Sequence, residues 1–275
     1  MLGAKLISTT SEIRMTTAPK YVEGHNLLRG KSVLVTAAAG AGIGFSAALR
    51  AAEEGCRALM ISDIHPRRLD EAVANIKAQT GLQQVFGQLC DVSQEEQVQV
   101  LINAAEDKLA GVDVLINNAG LGGQTAVVDM SDEQWSKVMD ITLTGTFRMT
   151  RAMLPFMQQR KAGVIINNAS VLGWRAQKEQ AHYAAAKAGV MAFTRCSALE
   201  AAEHGVRINA VSPSIALHEF LKKASSADVL EQLASKETFG RAAEVWEIAN
   251  VMMFLASDYS SYMTGEVVSV SSQRA

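Results

Sequence analysis

Three side chains that can take part in proton transfer stand close together in the sequence: Ser170, Tyr183 and Lys187. Ser170 follows residues 164–168, an apolar, β-branched run ending in two asparagines that is typical of a buried parallel strand. Open α/β sheets place their chemistry at the carboxyl ends of such strands. Tyr183 and Lys187 are four residues apart in a helical pattern, so both side chains lie on one face of that helix. The spacing predicts that the three groups meet.

The chemistry that this trio supports is proton exchange with a substrate oxygen. A free phenol has a pKa of about 10 and is a poor base at neutral pH, but a nearby cation or a positively charged nicotinamide ring favours the phenolate. Lys187 can supply such a charge and bind a cofactor ribose, while Ser170 holds the substrate oxygen. We expect Tyr183 to exchange the proton while a hydride moves to or from carbon. The competing interpretation is a tyrosine and a lysine packed on an ordinary amphipathic helix.

A turn rich in small residues connects the first predicted strand to the first predicted helix. It spans residues 36–44 and reads Thr-Ala-Ala-Ala-Gly-Ala-Gly-Ile-Gly. Small residues let the backbone approach a diphosphate, and a helix N-terminus offers free N–H groups and the positive end of its dipole. The turn therefore predicts a dinucleotide site. Its predicted cofactor contacts are Thr36, Gly40, Gly42, Ile43 and Gly44.

Polar side chains end the next three predicted strands. Asp63 ends the second strand about 20 residues after the turn, where a carboxylate accepts both hydroxyls of an adenosine ribose. A carboxylate there repels a 2′-phosphate, so NAD is the predicted cofactor and NADP is less favoured. Arg67 and Arg68 argue the other way, although their positions fit the first turn of an exposed helix. Ordinary strand-end turns are the alternative explanation for these residues. The third and fourth strand ends add the predicted cofactor contacts Asp91, Val92, Asn118 and Gly120.

The composition fits a soluble globular domain. The chain has 275 residues, 48% hydrophobic and 20% charged, with a formal net charge of −2. These values suit one large domain. The near-neutral charge argues against non-specific nucleic-acid binding, which needs a basic stripe. The apolar runs have the length of strands and do not predict a membrane span. Cys56, Cys90 and Cys196 are far apart without metal-ligand spacing, so we predict a cytoplasmic location and no metal.

Strand-like and helix-like runs alternate from residue 31 onward. The alternation predicts an α/β fold, a Rossmann-type doubly wound parallel sheet of about seven strands in a single domain. We predict a loose N-terminal tail over residues 1–28 and the folded domain over residues 29–275. Residues 214–241, polar and helical without a strand, predict a small lid over the substrate pocket. The predicted strands are 32–36, 58–62, 84–89, 114–117, 164–167, 208–211 and 267–270. The predicted helices are 45–54, 67–80, 95–109, 133–157, 183–203 and 245–256.

Together these residues resemble the short-chain dehydrogenase/reductase family over roughly residues 31–272. The resemblance implies an NAD(P)-dependent oxidoreductase that interconverts a secondary alcohol and a ketone, commonly as a homotetramer. It also implies cofactor contacts from Tyr183, Lys187 and Ile215. Besides the trio, the turn and the strand ends, the matching segments are 209–213, 254–258 and 264–268.

Several positions depart from the usual pattern of that family, among them Ser214 in place of a glycine and residues 271–273 in place of an Asp-Gly-Gly ending. Ala37 stands where the first glycine of the turn is expected, and the turn is one residue longer than its commonest form. Thr142 replaces the asparagine that completes a catalytic tetrad through a bound water, and a threonine hydroxyl can bind water but has no amide N–H. His218 stands near where a threonine usually contacts the cofactor carboxamide. Thr142 is the fourth candidate catalytic residue.

Segments 121–125, 171–177 and 268–275 are similar to those of actinobacterial enzymes of steroid ring C/D breakdown. Those enzymes act on a CoA-linked hydroxy acid with fused rings, so the resemblance implies a small-molecule CoA thioester as the substrate. Candidate substrate contacts lie on a predicted pocket loop: Trp174, Arg175 and Gln177. The predicted cationic rim for the CoA phosphates comprises Arg175, Lys222 and Lys223.

Two other functions stay open at this point. A biosynthetic 3-oxoacyl-thioester reductase would prefer NADPH, which Asp63 opposes, and Ala41 provides no basic side chain beside the phosphates. A catalytically inactive NAD-binding regulatory protein would bind cofactor without turnover, whereas the whole catalytic trio is present. We expect neither a nucleic-acid nor a membrane partner.

Overall fold

The structure of the protein, a computed structural model, describes residues 17–217 and 227–272. The strands are β1 (Ser32–Val35), β2 (Ala58–Asp63), β3 (Val85–Leu89), β4 (Val114–Asn117), β5 (Gly163–Asn168), β6 (Val206–Pro213), β7 (Ala216–Leu217), β8 (Ala243–Glu244) and β9 (Val267–Val270). The helices are α1 (Ile43–Glu53), α2 (Pro66–Thr80), α3 (Glu95–Lys108), α4 (Asp132–Met139), α5 (Gly145–Arg160), α6 (Ala181–Ala202), α7 (Ala227–Ala234) and α8 (Val245–Ala256).

A parallel sheet of seven strands forms the centre of the molecule, in the order β3-β2-β1-β4-β5-β6-β9. One buried apolar cluster joins the sheet to α1, α2 and α8, and a second joins its other face to α3, α5 and α6. Both faces are therefore covered, which explains why strands such as β1 and β4 consist of residues that are all buried. The predicted fold class is confirmed.

Strand order reverses between β1 and β4, which pair directly with Val33 opposite Val114. A crevice opens at such a reversal, outside the carboxyl ends of the strands. The turn after β1 and the segment after β4 both lie there. The topology thus brings the predicted diphosphate turn beside the Asn118–Gly120 segment.

Two predicted elements differ from the structure. The single helix predicted over 133–157 is two helices, α4 and α5, joined by a π-helical turn at Asp140–Thr144. The segment predicted to be without a strand contains β7, which pairs in parallel with β8 just after it. Within the predicted lid, α7 is helical, but His218, Lys222 and Lys223 lie outside the described residues.

Residues 22–28, at the end of the predicted N-terminal tail, contact the domain. The Arg50 guanidinium donates to the carbonyls of Val22 and Glu23 at 2.5 and 3.1 Å, and Leu28 is fully buried. Glu54 accepts from the backbone N–H of residues 25 and 27 at 2.7 and 3.0 Å. The packed body therefore begins before residue 29, because a buried ion pair between Arg50 and Glu54 binds this segment.

Within residues 17–217 and 227–272, no helix has the length and apolar character needed to cross a membrane. The same ranges contain no group of three or more His, Cys, Asp or Glu residues placed to bind a metal ion.

Candidate active site

The structure brings the three predicted catalytic side chains together at the carboxyl end of β5. Ser170 follows this strand, and Tyr183 and Lys187 lie one turn apart on α6. Ser170 and Tyr183 line the same cleft, and the Ser170 hydroxyl accepts from the N–H of Leu172 at 3.3 Å. Nζ of Lys187 donates to the carbonyl of Asn168 at 2.5 Å. Strand end and helix face therefore position one hydroxyl, one phenol and one ammonium in a single site.

Burial controls the protonation of this site. It raises the pKa of Tyr183, and the nearby Ser170 hydroxyl opposes that rise only in part. Burial lowers the pKa of Lys187 to about 8, because desolvation disfavours the ammonium. A pKa of about 8 still leaves the Lys187 side chain mostly protonated at neutral pH. Both charges predicted to favour the phenolate, the Lys187 ammonium and the positive nicotinamide ring, therefore stay part of the prediction.

Thr142 lies in the π turn at Asp140–Thr144 and is fully buried. Its hydroxyl accepts from the N–H of Leu121 at 3.0 Å and donates to the carbonyl of the same residue at 3.2 Å. A β-carbon on Gly120 would lie 3.3 Å from Nζ of Lys187 and 3.7 Å from the Thr142 hydroxyl. Thr142 thus holds the segment that packs against Lys187.

The turn after β1 ends at the N-terminus of α1, which begins at Ile43. Gly42 is the N-cap of this helix, and no side chain in the described structure caps it. Gly40 has φ +110°, and added β-carbons at Gly40 and Gly42 would meet no atom within 4 Å. Open space and uncapped N–H groups are the features that a diphosphate needs at a helix N-terminus.

Hydrogen bonds to the segment after β4 hold the turn in shape. The Thr36 hydroxyl accepts from the N–H groups of Asn118 and Ala119 at 3.0 and 3.1 Å, and Thr36 is 1% exposed. Nδ2 of Asn118 donates to the carbonyl of Ala37 at 3.0 Å. A β-carbon on Gly44 would lie 2.3 Å from that carbonyl oxygen, so glycine is required there. Thr36 and Asn118 therefore support the turn through the backbone.

Asp63 lies at the end of β2 beside the turn. One carboxylate oxygen accepts from the N–H of Ala39, and the other accepts from the N–H of His65, both at 3.1 Å. The carboxylate is thereby fixed where the ribose was predicted, with acceptor capacity to spare. Arg67 is 87% exposed and lies 3.8 Å from Glu71 on α2, as an exposed first-turn residue should.

Asp91 and Val92, which follow β3, have different local contacts. Oδ1 of Asp91 accepts from the N–H of Ser93 at 2.9 Å, which is ordinary turn chemistry. Val92 is 6% exposed and packs so closely on Gly145 that a β-carbon there would lie 2.7 Å from it. The structure thus gives Asp91 and Val92 local packing roles next to the crevice.

A cleft of about 530 Å³ opens over Ser170 and Tyr183. It extends from Ile43, at the start of α1, to the segments that flank β6 and α6. The predicted residues Arg175, Gln177 and Ile215 line it, whereas Trp174 is half exposed and is not among its described lining residues. Two lysines that the sequence analysis missed also line it, Lys178 and Lys236. Exposed lysines in loops carry no periodic signal that would have identified them.

The arrangement fits a nicotinamide dinucleotide. The uncapped turn suits the diphosphate, Asp63 suits the adenosine ribose, and the cleft connects Ile43 to Tyr183. A dinucleotide bound along this cleft would have its nicotinamide end at the catalytic trio.

Known proteins are similar to this sequence over most of its length. A family profile described as "Enoyl-(Acyl carrier protein) reductase" matches residues 37–272. A Mycobacterium tuberculosis protein named "(5R,7aS)-5-hydroxy-7a-methyl-1-oxo-2,3,5,6,7,7a-hexahydro-1H-indene-carboxyl-CoA reductase" is 59% identical over 262 residues, 95% of this chain and 99% of that protein. A 3-oxoacyl-(acyl-carrier-protein) reductase of Thermotoga maritima is 35% identical over 243 residues, 88% of this chain and 97% of that protein.

Solved structures of dehydrogenases and reductases are also similar to this chain. A short chain dehydrogenase from Mycobacterium smegmatis has a TM-score of 0.83 and 57% identity, covering 94% of this chain and 99% of that one. Levodione reductase has a TM-score of 0.85 and 32% identity, covering 89% of this chain and 97% of that one. With its parallel sheet, its diphosphate turn and its Ser-Tyr-Lys site, the chain belongs to the short-chain dehydrogenase/reductase family of nicotinamide-dependent oxidoreductases.

Proposed function

We propose that the protein interconverts a secondary alcohol and a ketone on a CoA-linked, fused-ring hydroxy acid, using NAD. The juxtaposition of Ser170 and Tyr183, which both line the cleft, carries the proposal. It places two hydroxyl groups where one substrate oxygen can contact both.

In this mechanism each residue of the trio has a separate task. Ser170 binds the substrate oxygen and orients it toward the Tyr183 hydroxyl. Tyr183 donates its proton to that oxygen as the ketone is reduced, or accepts it as the alcohol is oxidised. Lys187 holds the Asn168 carbonyl and offers its remaining N–H groups to a cofactor ribose. The bound nicotinamide supplies or accepts the hydride.

The raised pKa of Tyr183 bears on direction. A protonated phenol is the form that ketone reduction requires, whereas alcohol oxidation requires the phenolate. Burial therefore favours the form of Tyr183 that donates the proton in ketone reduction, and the same hydroxyl accepts the proton in the reverse reaction. The relative from Mycobacterium tuberculosis is likewise named a reductase.

Asp63 supports NAD as the cofactor. Its carboxylate is 9% exposed and fixed by two backbone N–H groups. A 2′-phosphate at this position would face a negative charge that cannot rotate away. The neighbouring Arg67 points to solvent and pairs with Glu71.

The relative at 59% identity and the cleft support the substrate class. That relative is named for a CoA thioester with an indene ring system. A cleft of about 530 Å³ falls within the range of about 300–1,000 Å³ typical of small-molecule sites. Arg175 and Gln177, in the segment predicted to bind substrate, line it. Lys222 and Lys223 belong to the proposal but lie outside the described residues.

A homotetramer, as the family resemblance implies, is also part of this proposal. Large apolar side chains are exposed on α5 and after α8, where copies of the chain could pack. They include Phe147, Tyr259 and Tyr262.

A 3-oxoacyl-thioester reductase is the second candidate, since relatives with that name are 35% identical. It would use NADPH, which the fixed carboxylate of Asp63 disfavours.

The test is steady-state turnover of the CoA thioester named for the Mycobacterium tuberculosis relative. The comparison set is its free acid and a linear 3-oxoacyl-CoA, each with NAD(H) and NADP(H). We expect the highest kcat/KM for the fused-ring thioester with NAD(H). Preferred turnover of the linear thioester with NADPH would support the second candidate. NADH binding without any turnover would identify a regulatory protein.

A further inference from the structure

The described lining of the catalytic cleft contains three cations and no carboxylate: Arg175, Lys178 and Lys236. The chain as a whole has 28 acidic and 26 basic residues. The cleft therefore differs in charge from the molecule around it. Such a concentration of positive charge attracts an anionic ligand.

Lys178 lies on a fixed part of the loop between β5 and α6. The carbonyl of the next residue, Glu179, accepts from the N–H of Thr125 at 3.0 Å. Glu179 also has φ +66°, a left-handed conformation that this contact helps to hold. The Lys178 side chain is 92% exposed, and its approach of 3.9 Å to the Glu179 carboxylate is a weak surface pair. Its backbone is positioned while its ammonium remains accessible.

Lys236 has a similar arrangement in the segment after α7. Its neighbour Glu237 is 3% exposed and accepts from the backbone N–H and the hydroxyl of Ser272 at 3.1 and 2.8 Å. The N–H of Thr238 donates to the Ser272 carbonyl at 3.2 Å. This segment is thus tied to the end of β9, while the exposed Lys236 side chain faces the cleft.

We propose that Lys178 and Lys236 form a phosphate clamp for the nucleotide tail of the CoA substrate. The clamp draws one lysine from each of two separately anchored segments around the cleft. It favours the CoA thioester over the free acid and rests on the proposed function. Because the tail lies outside the reacting region, the clamp acts on binding and leaves the proton transfer by Tyr183 unchanged.

Phosphopantetheine carried by an acidic carrier protein is the other source of an anionic acyl thioester. The structure favours CoA because both lysines line a concave cleft, which a nucleotide tail can enter. A folded carrier protein would need a protruding or flat basic surface instead.

The kinetic test uses Lys178→Ala, Lys236→Ala, the double variant, and Lys137→Ala as a control on the exposed surface of α4. We expect KM for the CoA thioester to rise about fivefold for each cleft lysine and about 25-fold for both. The kcat should not change, and KM for the pantetheine thioester lacking the nucleotide should stay constant. Added salt should raise the wild-type KM and leave that of the double variant nearly flat.

The binding test is independent of turnover. Free CoA is titrated calorimetrically into protein saturated with NADH, so that its adenosine cannot enter the dinucleotide site. We expect the affinity for CoA to fall by a similar factor in the double variant and to be unchanged in Lys137→Ala. Unchanged CoA affinity and KM in the double variant would overturn the clamp. A rise in KM that is confined to an acyl-carrier-protein thioester, with KM for the CoA thioester unchanged, would also overturn the clamp. If the wild type binds CoA through these lysines but does not turn over the thioester, the clamp stands and the proposed reaction fails.

Discussion

Nζ of Lys187 lies 5.6 Å from the centre of the Tyr183 ring. Burial acts on both side chains, raising the pKa of Tyr183 and lowering that of Lys187 to about 8. Both shifts favour neutral forms, because desolvation penalises charge whatever its sign. A charge that enters the site therefore changes the pKa of both side chains.

Replacement of Tyr183 by phenylalanine tests the proton carrier. We expect Tyr183→Phe to lower kcat by about 10²–10⁴-fold, the usual contribution of general acid–base catalysis. NADH should still bind, as measured by fluorescence titration, since the ring and Lys187 remain. Tyr259→Phe, at a side chain that is 80% exposed, is the matched control and should keep full activity. A Tyr183→Phe variant that retains most of its turnover would remove this phenol from the mechanism.

The buried ammonium of Lys187 gives stability a pH dependence. Its folded pKa of about 8 lies below the unfolded value of about 10.4, so the unfolded chain binds more protons between these values. The contribution of this group to stability therefore rises as pH increases from about 8 to about 10. We expect the Tm of the wild type minus that of Lys187→Met to increase as the pH rises through this window. At lower pH the difference in Tm should be constant. A constant difference across the window would mean that the ammonium is well solvated.

The sheet was predictable because buried parallel strands carry continuous apolar residues. The fourth strand begins and ends at the predicted residues 114 and 117. The catalytic trio followed for a related reason: the end of a strand and one face of a helix are local patterns. These two patterns were enough to predict that Ser170 and Tyr183 lie close together.

Other features depend on residues far apart in the sequence. Tyr21 packs against Trp246 with ring centres 5.4 Å apart, so no local pattern could show that the N-terminal segment is held. Lys236 reaches the cleft beside a residue fixed by Ser272. The pKa of Tyr183 depends on burial, which spacing alone does not reveal.

Asp63 should set the cofactor preference. We expect wild-type protein to favour NAD⁺ and Asp63→Asn to narrow the ratio of kcat/KM for NAD⁺ over NADP⁺ by about tenfold or more, about 1.4 kcal/mol. The amide keeps the size of the side chain and removes its repulsion of a 2′-phosphate. Asp70→Asn, on the exposed face of α2, controls for general charge. Equal kcat/KM for both cofactors in the wild type would contradict the assignment.

Thr142 is best tested with two substitutions. Thr142→Val removes the hydroxyl bonded to both backbone groups of Leu121, and buried groups left unpaired cost about 1–3 kcal/mol. We expect urea unfolding to show that loss, with kcat falling by less than about 10²-fold, below the range for a proton carrier. Thr142→Ser keeps the hydroxyl and should restore most of both quantities. A larger loss of kcat at unchanged stability would instead place Thr142 in a proton relay.

Ala37 carries a β-carbon where the backbone favours glycine. Its φ is +50°, and the left-handed region costs a residue with a β-carbon about 1–2 kcal/mol. Ala37 is exposed, so Ala37→Gly loses little apolar burial, and the gain is offset only by the greater freedom of glycine in the unfolded chain.

We therefore expect Ala37→Gly to raise the free energy of unfolding in urea by about 0.5–1 kcal/mol. Ala39→Gly, in the same turn but without a positive φ, should lower it by a similar amount. NADH affinity of Ala37→Gly should not decrease, because the Asn118 amide still holds the carbonyl of residue 37. Destabilisation by both glycine substitutions would show that Ala37 sits in this conformation without strain.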